Sequence, residues 1–322
     1  MKLIKPHFEV WEQPAGLEGV YKQTEKAGRV CYKSEDKITE NSAKEFVDRI
    51  IKSGHGAMLE HGSIYLYIET DTEPSLMVKE IINFYKYNKY SHVNTEYILD
   101  KDQDSHTPLI IGYKYYISTN LRVCIENDRK EFLNPSLLCE PTEFHEKRIT
   151  VKFICDRGIL AEFTRHRTFS FSAESTRYCN YSKDKFNNEI TYILPCWIDN
   201  TSLQEIKGSI ISQDKYGSLI SEYYYHLTGK EWTWKITPER NFIASLQVAE
   251  QLYLELLNQG WKPQEARAVL PNALKTELVM TGFISDWKHF FELRDAGSAH
   301  PQAQELAKPL HEEFIKRGYI TE

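Results

Sequence analysis

Residues 149–155 alternate, with Ile149, Val151, Phe153 and Cys155 on one face and Thr150, Lys152 and Ile154 on the other. A period of two is the mark of a strand. Asp156 follows at once, and its carboxylate can cap the first turn of a helix that runs into Arg165. Strand and helix in direct succession point to an α/β chain.

Beyond that helix lies Arg165-His-Arg-Thr-Phe-Ser-Phe-Ser-Ala-Glu-Ser-Thr-Arg177, a run with three arginines, one histidine and three serines. Guanidinium groups bind phosphate in forked, charge-assisted pairs, and hydroxyls fill the remaining acceptor positions. The run therefore reads either as a site for small phosphorylated ligands or as a solvated basic turn. The whole chain carries a net charge of −6, so a surface that coats nucleic acid is not expected.

The 322 residues suffice for a sizeable core, and 41% hydrophobic with 27% charged residues is ordinary for a soluble globular protein. Cys31, Cys124, Cys139, Cys155, Cys179 and Cys196 are scattered and form no C-x-x-C pair. Free thiols are expected rather than disulfides or a zinc site. The stretch Met1–His7 has no long apolar core and no run approaches a membrane span, so a cytoplasmic protein is expected.

Ala43, Phe46, Val47, Ile50 and Ile51 fall on one face of a helix over 40–54, with Gly54 placed to end it. A helix over 17–28 turns Val20, Thr24 and Ala27 inward, and 63–69 reads as a strand. Residues 71–148, with four prolines and many tyrosines, read as an inserted helical subregion with helices near 75–88 and 118–132. Phe84–Tyr90 interleaves aromatics and lysines, as a helix flank or a base-stacking surface would. The segment 183–237 reads as strands, turns and helix pieces. Helices follow over 239–258 behind Pro238, from Pro263 to before Pro271, over 286–293 with Ser285 as N-cap, and from Pro301 with a kink or break at Pro309.

Dinucleotide-fold, P-loop and G-x-S-x-G motifs are missing. His55 and His61 flank Glu60 at a spacing unlike helical metal ligands, which favours a polar rim or cofactor contact. Glu162 and Arg165, three apart at a helix end, are expected to share a side. Arg165 and Arg167 then point nearly opposite ways, unless the helix breaks at His166. Ser175 and Arg177 follow in a loop with backbone N–H groups for a phosphate, Arg177 having Glu174 or Asp184 as alternative partners. Arg267, beside Ala266, Val269 and Leu270, is expected to be buried and to need a charged partner. Arg294 ends an apolar helix.

Arg165-His-Arg167, seven residues, then Ser175 resembles the R-H-R-x7-S signature of flavin-dependent thymidylate synthases. Gly54-His55 through Glu60-His61 is similar to that family's G-H-x4-E-H segment. Glu265–Pro271 resembles its arginine-and-proline segment, and His289–Arg294 its final helix. The four segments occur in the family's order.

The resemblance implies a single domain with an insertion at about 71–148, built on a central, mostly antiparallel sheet flanked by long helices. It implies a cytoplasmic homotetramer whose active sites are shared between subunits. FAD would be the cofactor, dUMP, NADPH and methylenetetrahydrofolate the substrates, and dTMP the product. Glu162, Arg165, Ala173, Glu174, Ser175, Thr176, Arg177, Arg267 and Arg294 are then the expected contacts of dUMP. His55, Ala57, Arg165, His166, Arg167, Ala173, Phe283, Ser285 and His289 are those of the flavin. Arg294 is the catalytic candidate, placed against the uracil to favour its N3-deprotonated form. No metal is implied, no membrane, and no nucleic acid.

The chain departs from the family in places. Ser172 and Ala173 replace Asn-Glu, Glu162 replaces a glutamine, Ala57 a threonine or serine, and Phe283 an asparagine. Two other readings remain open: a nucleotide- or RNA-binding protein without synthase activity on the same fold, and a flavoenzyme acting on another pyrimidine nucleotide.

Overall fold

The computed structural model describes residues 1–100, 109–177, 179–183, 189–198 and 237–321. Most of 183–237, and Asp184 with it, lies outside these residues. The described chain mixes helices with antiparallel sheets, as expected. In chain order it forms β1 (Lys2–Ile4), β2 (His7–Trp11), α1 (Gly16–Tyr32), α2 (Ser42–Ser53), α3 (Gly56–Leu59) and β3 (Ser63–Thr70). Next come α4 (Leu76–Tyr87), β4 (His92–Leu99), β5 (Ile110–Asn120), α5 (Leu121–Glu126), β6 (Arg148–Asp156), α6 (Arg157–Phe163), β7 (Ser170–Ala173) and β8 (Thr191–Ile193). The described chain ends with α7 (Pro238–Asn258), α8 (Pro263–Ala266), β9 (Lys275–Phe283), α9 (Ile284–Arg294) and α10 (Pro301–Lys316).

The central sheet has the order β2-β6-β9-β7, antiparallel throughout. The alternation along β6 divides its two faces. Ile149, Val151, Phe153 and Cys155 join Leu278 and Met280 in a core closed by Phe163 of α6, Trp287 and Phe290 of α9, and Leu306, Leu310 and Phe314 of α10. On the other face Val279 packs with Trp11 and with Ala27 and Val30 of α1. Lys152 and Glu277 share that polar face.

α1 buries Val20, Thr24 and Ala27, and Lys33, left-handed at φ 48°, ends it. α2 stops at Gly54, whose φ of 72° suits a residue without Cβ. Ile51, expected inward, is exposed, because Ala43, Phe46, Val47 and Ile50 alone fill the buried stripe. α10 is not broken at Pro309. A proline inside a helix costs about 3 kcal/mol. Full burial of Leu306, Leu310 and Phe314 at about 1.5–3 kcal/mol each exceeds that.

The segment 71–148 is not a helical subregion. α4 forms as expected, but β4 and β5 pair with β3 in a three-stranded antiparallel sheet, order β3-β5-β4. The expected helix over 118–132 begins as strand. Tyr113, Tyr115, Ile117 and Thr119 recur every second residue and favour a pleated surface. Asn120 then accepts the Val123 N–H at 3.1 Å and starts the short α5. Phe84–Tyr90 is a helix end: Tyr85 is buried, Tyr87 is exposed, and the Lys89 ammonium lies 4.8 Å over the Tyr90 ring.

All six cysteines are free thiols. Among the described residues no helix is long and apolar enough to cross a membrane.

Candidate functional site

Asp156 ends β6 and opens α6, its carboxylate accepting the Ile159 N–H at 2.7 Å. α6 closes at Phe163, so Arg165, His166 and Arg167 occupy the turn that leads into β7 rather than a helix. Glu162 therefore does not share a helical face with Arg165. Its partner is Arg294, at the far end of α9. Arg294 Nη1 donates to Glu162 Oε2 at 2.9 Å, Nη2 to the Glu162 carbonyl at 2.9 Å, and Nε to His166 Nε2 at 3.0 Å.

His166 is buried with its ring 5.1 Å from Phe290 and 6.3 Å from His289. Burial, the Arg294 cation and His289 together push its pKa down to about 4. It is therefore neutral at pH 7 and can accept from Arg294. Arg165 and Arg167 are exposed and form no ion pair with a described residue.

A second group lies where β7 ends. Ala173 is the last residue of that edge strand, half-buried beside buried Ser172, whose hydroxyl donates to the Ala27 carbonyl of α1 at 2.7 Å. Three backbone N–H groups of the loop, expected to be free for a ligand, are already engaged. Glu174 N–H donates to Glu277 O, Ser175 N–H to Cys31 O and Arg177 N–H to Ser175 Oγ. The side chains add the hydroxyls of Ser175 and Thr176 and the exposed Arg177 and Arg267. Arg267 is exposed rather than buried, at the start of a 3-10 turn after α8, and its Nη1 donates to Thr176 Oγ1 at 2.9 Å.

Glu174 faces inward. Lys275 Nζ lies 2.7 Å from Glu174 Oε2 and 2.7 Å from Glu277 Oε1. Glu277 also meets Lys33 from the end of α1 and Lys152 from β6, the latter at 2.9 Å. This buried cluster fixes the loop to the sheet and to α1. Motif spacing did not find Lys33, Lys152, Lys275 or Glu277. The available signal was a charged i, i+2 pair, Lys275 and Glu277, just before the apolar run Leu278–Met280.

The N-terminal segment places His55 and Ala57 at the surface. The His55 ring stacks on Tyr32, whose hydroxyl is 2.7 Å from Nδ1. His61 is buried and its Nδ1 lies 2.8 Å from Thr281 Oγ1. Arg148, also unforeseen, joins three elements: Nη1 donates to the Glu60 carbonyl at 2.9 Å and to Ser63 Oγ at 3.3 Å, and Nη2 to Ser170 Oγ at 3.2 Å. Phe283 is buried, 4.3 Å from the His92 ring. Ser285 and His289 are exposed on α9. Ser285 is not the N-cap of that helix. Asp286 accepts the Phe283 N–H at 3.0 Å instead, and the Ser285 N–H donates to Glu146 at 2.9 Å.

The arginines expected to act together thus fall into two groups within one chain, one around Arg294 and His166, the other around Arg267 and Thr176. Among the described residues, no cluster of three or more His, Cys, Asp or Glu side chains is placed to hold a metal.

The chain matches the family model described as thymidylate synthase complementing protein over residues 17–137 and 138–317. It is 26% identical over 173 residues to a probable flavin-dependent thymidylate synthase of Paramecium bursaria Chlorella virus 1, covering 54% of this chain and 68% of the relative. It is 27% identical over 166 residues to the flavin-dependent thymidylate synthase of Pyrococcus furiosus, covering 52% and 53%. The chain spans about half to two thirds of the length of the curated relatives it matches. A UMP/dUMP methylase, PolB from Streptomyces cacaoi, aligns over 98% of this chain and 93% of its own at 17% identity and a TM-score of 0.38, too loose a likeness to bear on chemistry.

Proposed function

Since the chain belongs to the thymidylate synthase complementing protein family, we propose that it is a flavin-dependent methyltransferase that converts dUMP to dTMP. Methylenetetrahydrofolate supplies the carbon and NADPH the reducing equivalents. The chain acts as one domain carrying the insertion at about 71–148, in a cytoplasmic homotetramer whose sites are shared between subunits.

One observation carries this reading: the ordered motifs meet in space two by two. The R-H-R turn meets the terminal arginine through the 3.0 Å bond from Arg294 to His166, 128 residues apart. The serine loop meets the arginine-and-proline segment through the 2.9 Å bond from Arg267 to Thr176, 91 residues apart. A solvated basic turn has no need of either contact.

The donor set fits a flavin dinucleotide. Its pyrophosphate requires cations not already neutralised, and Arg165 and Arg167 are exposed with no ion-paired carboxylate among the described residues. His55, Ala57, His166, Ala173, Phe283, Ser285 and His289 complete its surroundings. FAD, when bound, carries hydride from NADPH to the pyrimidine ring. Ser175, Thr176, Arg177 and Arg267 take the nucleotide phosphate. Arg165 also contacts the nucleotide, and Ala173 and Glu174 line the same loop. Arg294 and Glu162 meet the base.

The purified protein should be yellow, oxidise NADPH faster when dUMP is added, and form dTMP with methylenetetrahydrofolate. Colourless protein unable to take up FAD overturns the reading in favour of a nucleotide- or RNA-binding module. Turnover of a different pyrimidine nucleotide in preference to dUMP overturns only the substrate.

A further inference from the structure

We propose that Glu162 makes this site hold the pyrimidine base in its neutral form, its carboxylate accepting from the N3–H while Arg294 donates to a neighbouring carbonyl. This rests on the function proposed above and reverses one expectation drawn from the resemblance, an N3-deprotonated uracil against Arg294.

The argument is one of donors and charge. A guanidinium has five N–H donors. Arg294 gives three of them to Glu162 Oε2, the Glu162 carbonyl and His166 Nε2. Two remain for a ligand, enough for a carbonyl oxygen. The cation's charge is already met by a carboxylate 2.9 Å away. An anionic base placed here would face, beside the guanidinium, a carboxylate that repels it.

His166 is neutral, its pKa lowered to about 4 by burial, Arg294 and His289. His289 lies 3.3 Å from Glu292, and Asp295 lies 2.8 Å from His311. Arg165 and Arg167, exposed in the adjoining turn, are the cations given above to the flavin pyrophosphate and the nucleotide. Glu162 Oε1 receives no hydrogen bond from a described residue, and the Glu162 side chain is 31% exposed against 16% for Arg294. An acceptor thus stands beside two donors at the accessible edge of the pair, matching the N3–H and O4 (or O2) of a neutral uracil. A glutamine at position 162, the family's usual residue, would present no charge and leave the cation free to stabilise an N3 anion.

The test uses 5-fluoro-dUMP, whose N3 proton is more acidic than that of dUMP, bound to the FAD-loaded protein without folate or NADPH. Ultraviolet difference spectra separate the neutral from the N3-ionised base. The wild type should keep the bound base neutral above the pH at which the free nucleotide ionises. Its affinity should fall about tenfold per pH unit beyond that point. Glu162→Gln should shift the ionisation of the bound base to lower pH and flatten the affinity profile. An ionised base in the wild type, or the same ionisation in both proteins, overturns the inference and leaves the proposed function standing. FAD-loaded wild type that binds no pyrimidine nucleotide overturns both. Should the variant fail to fold, the wild-type spectrum decides.

Discussion

Arg267 donates to the Thr176 hydroxyl at 2.9 Å from a turn 91 residues further along the chain. The bond orients an exposed guanidinium beside the loop 174–177 and leaves its remaining N–H donors for a ligand. Hydrogen bonds to charged groups contribute about 1.5–3 kcal/mol. Arg267→Ala should therefore raise the KM for dUMP about 10- to 100-fold, with kcat little changed, since a phosphate contact persists from ground state to transition state. Steady-state kinetics over a range of dUMP concentrations checks this. A kcat that falls while KM holds would place Arg267 at the reacting base instead.

The loop is held from beneath by Glu277. Burial pushes that carboxyl up, but Lys275, Lys33 and Lys152 hold it well below the ordinary carboxylate value of 4.5. A depressed carboxylate stabilises the fold above its unfolded pKa and loses that contribution as pH falls through the folded one. Glu277→Gln should therefore cost most at neutral pH, about 3–5 kcal/mol for taking the shared carboxylate from three part-buried lysines. The gap from wild type should narrow progressively below about pH 4.5. Denaturant melts at pH 7 and pH 4 measure both. A gap that widens on acidification would refute the sign.

The sequence revealed elements where a residue pattern and a local hydrogen bond agree. The alternation of Ile149 to Cys155 and the Asp156 cap gave β6 and α6, and Pro238 gave the start of α7. It failed where tertiary contacts decide. Between Tyr113 and Thr119 the tyrosines read as part of a helical subregion until β3 and β4 pair with them. At Pro309 the packing of Leu306 and Leu310 overrides the local penalty. The candidate site divides in the same way. Arginines and serines at motif spacing were visible, but Glu162 choosing Arg294 over Arg165, and Lys33 reaching Glu277, depend on which helix ends converge.

Asp156 ties the end of β6 to α6 and α10 by two bonds, accepting from Ile159 N–H at 2.7 Å and from Gln302 Nε2 at 2.6 Å. Loss of a cap costs about 0.5–2 kcal/mol, while asparagine caps as well as aspartate. Asp156→Ala should lower Tm by several degrees and Asp156→Asn much less. Burial raises the Asp156 carboxyl above its ordinary value of 3.8, so ionising it is costlier in the fold than in the unfolded chain. The asparagine variant should consequently compare more favourably with wild type at pH 7 than at pH 3. Thermal melts at both pH values test it. Equal losses for the two substitutions would mean that the cap contributes nothing.

Arg294 has two separable effects on its surroundings. Through Nε it meets His166, whose pKa of about 4 follows first from burial and then from this cation and His289. Arg294→Ala should raise the His166 midpoint from about 4 toward 6.5 without reaching it, because the burial persists. Histidine proton resonances followed with pH read that shift with no substrate present. The same variant should lower kcat by about 100-fold or more while dUMP affinity changes less, since the phosphate contacts proposed for Arg267 and Thr176 lie in the other group. An unmoved histidine would show that Arg294 does not set the charge state of the R-H-R turn. Equal losses in turnover and affinity would reduce Arg294 to a binding residue.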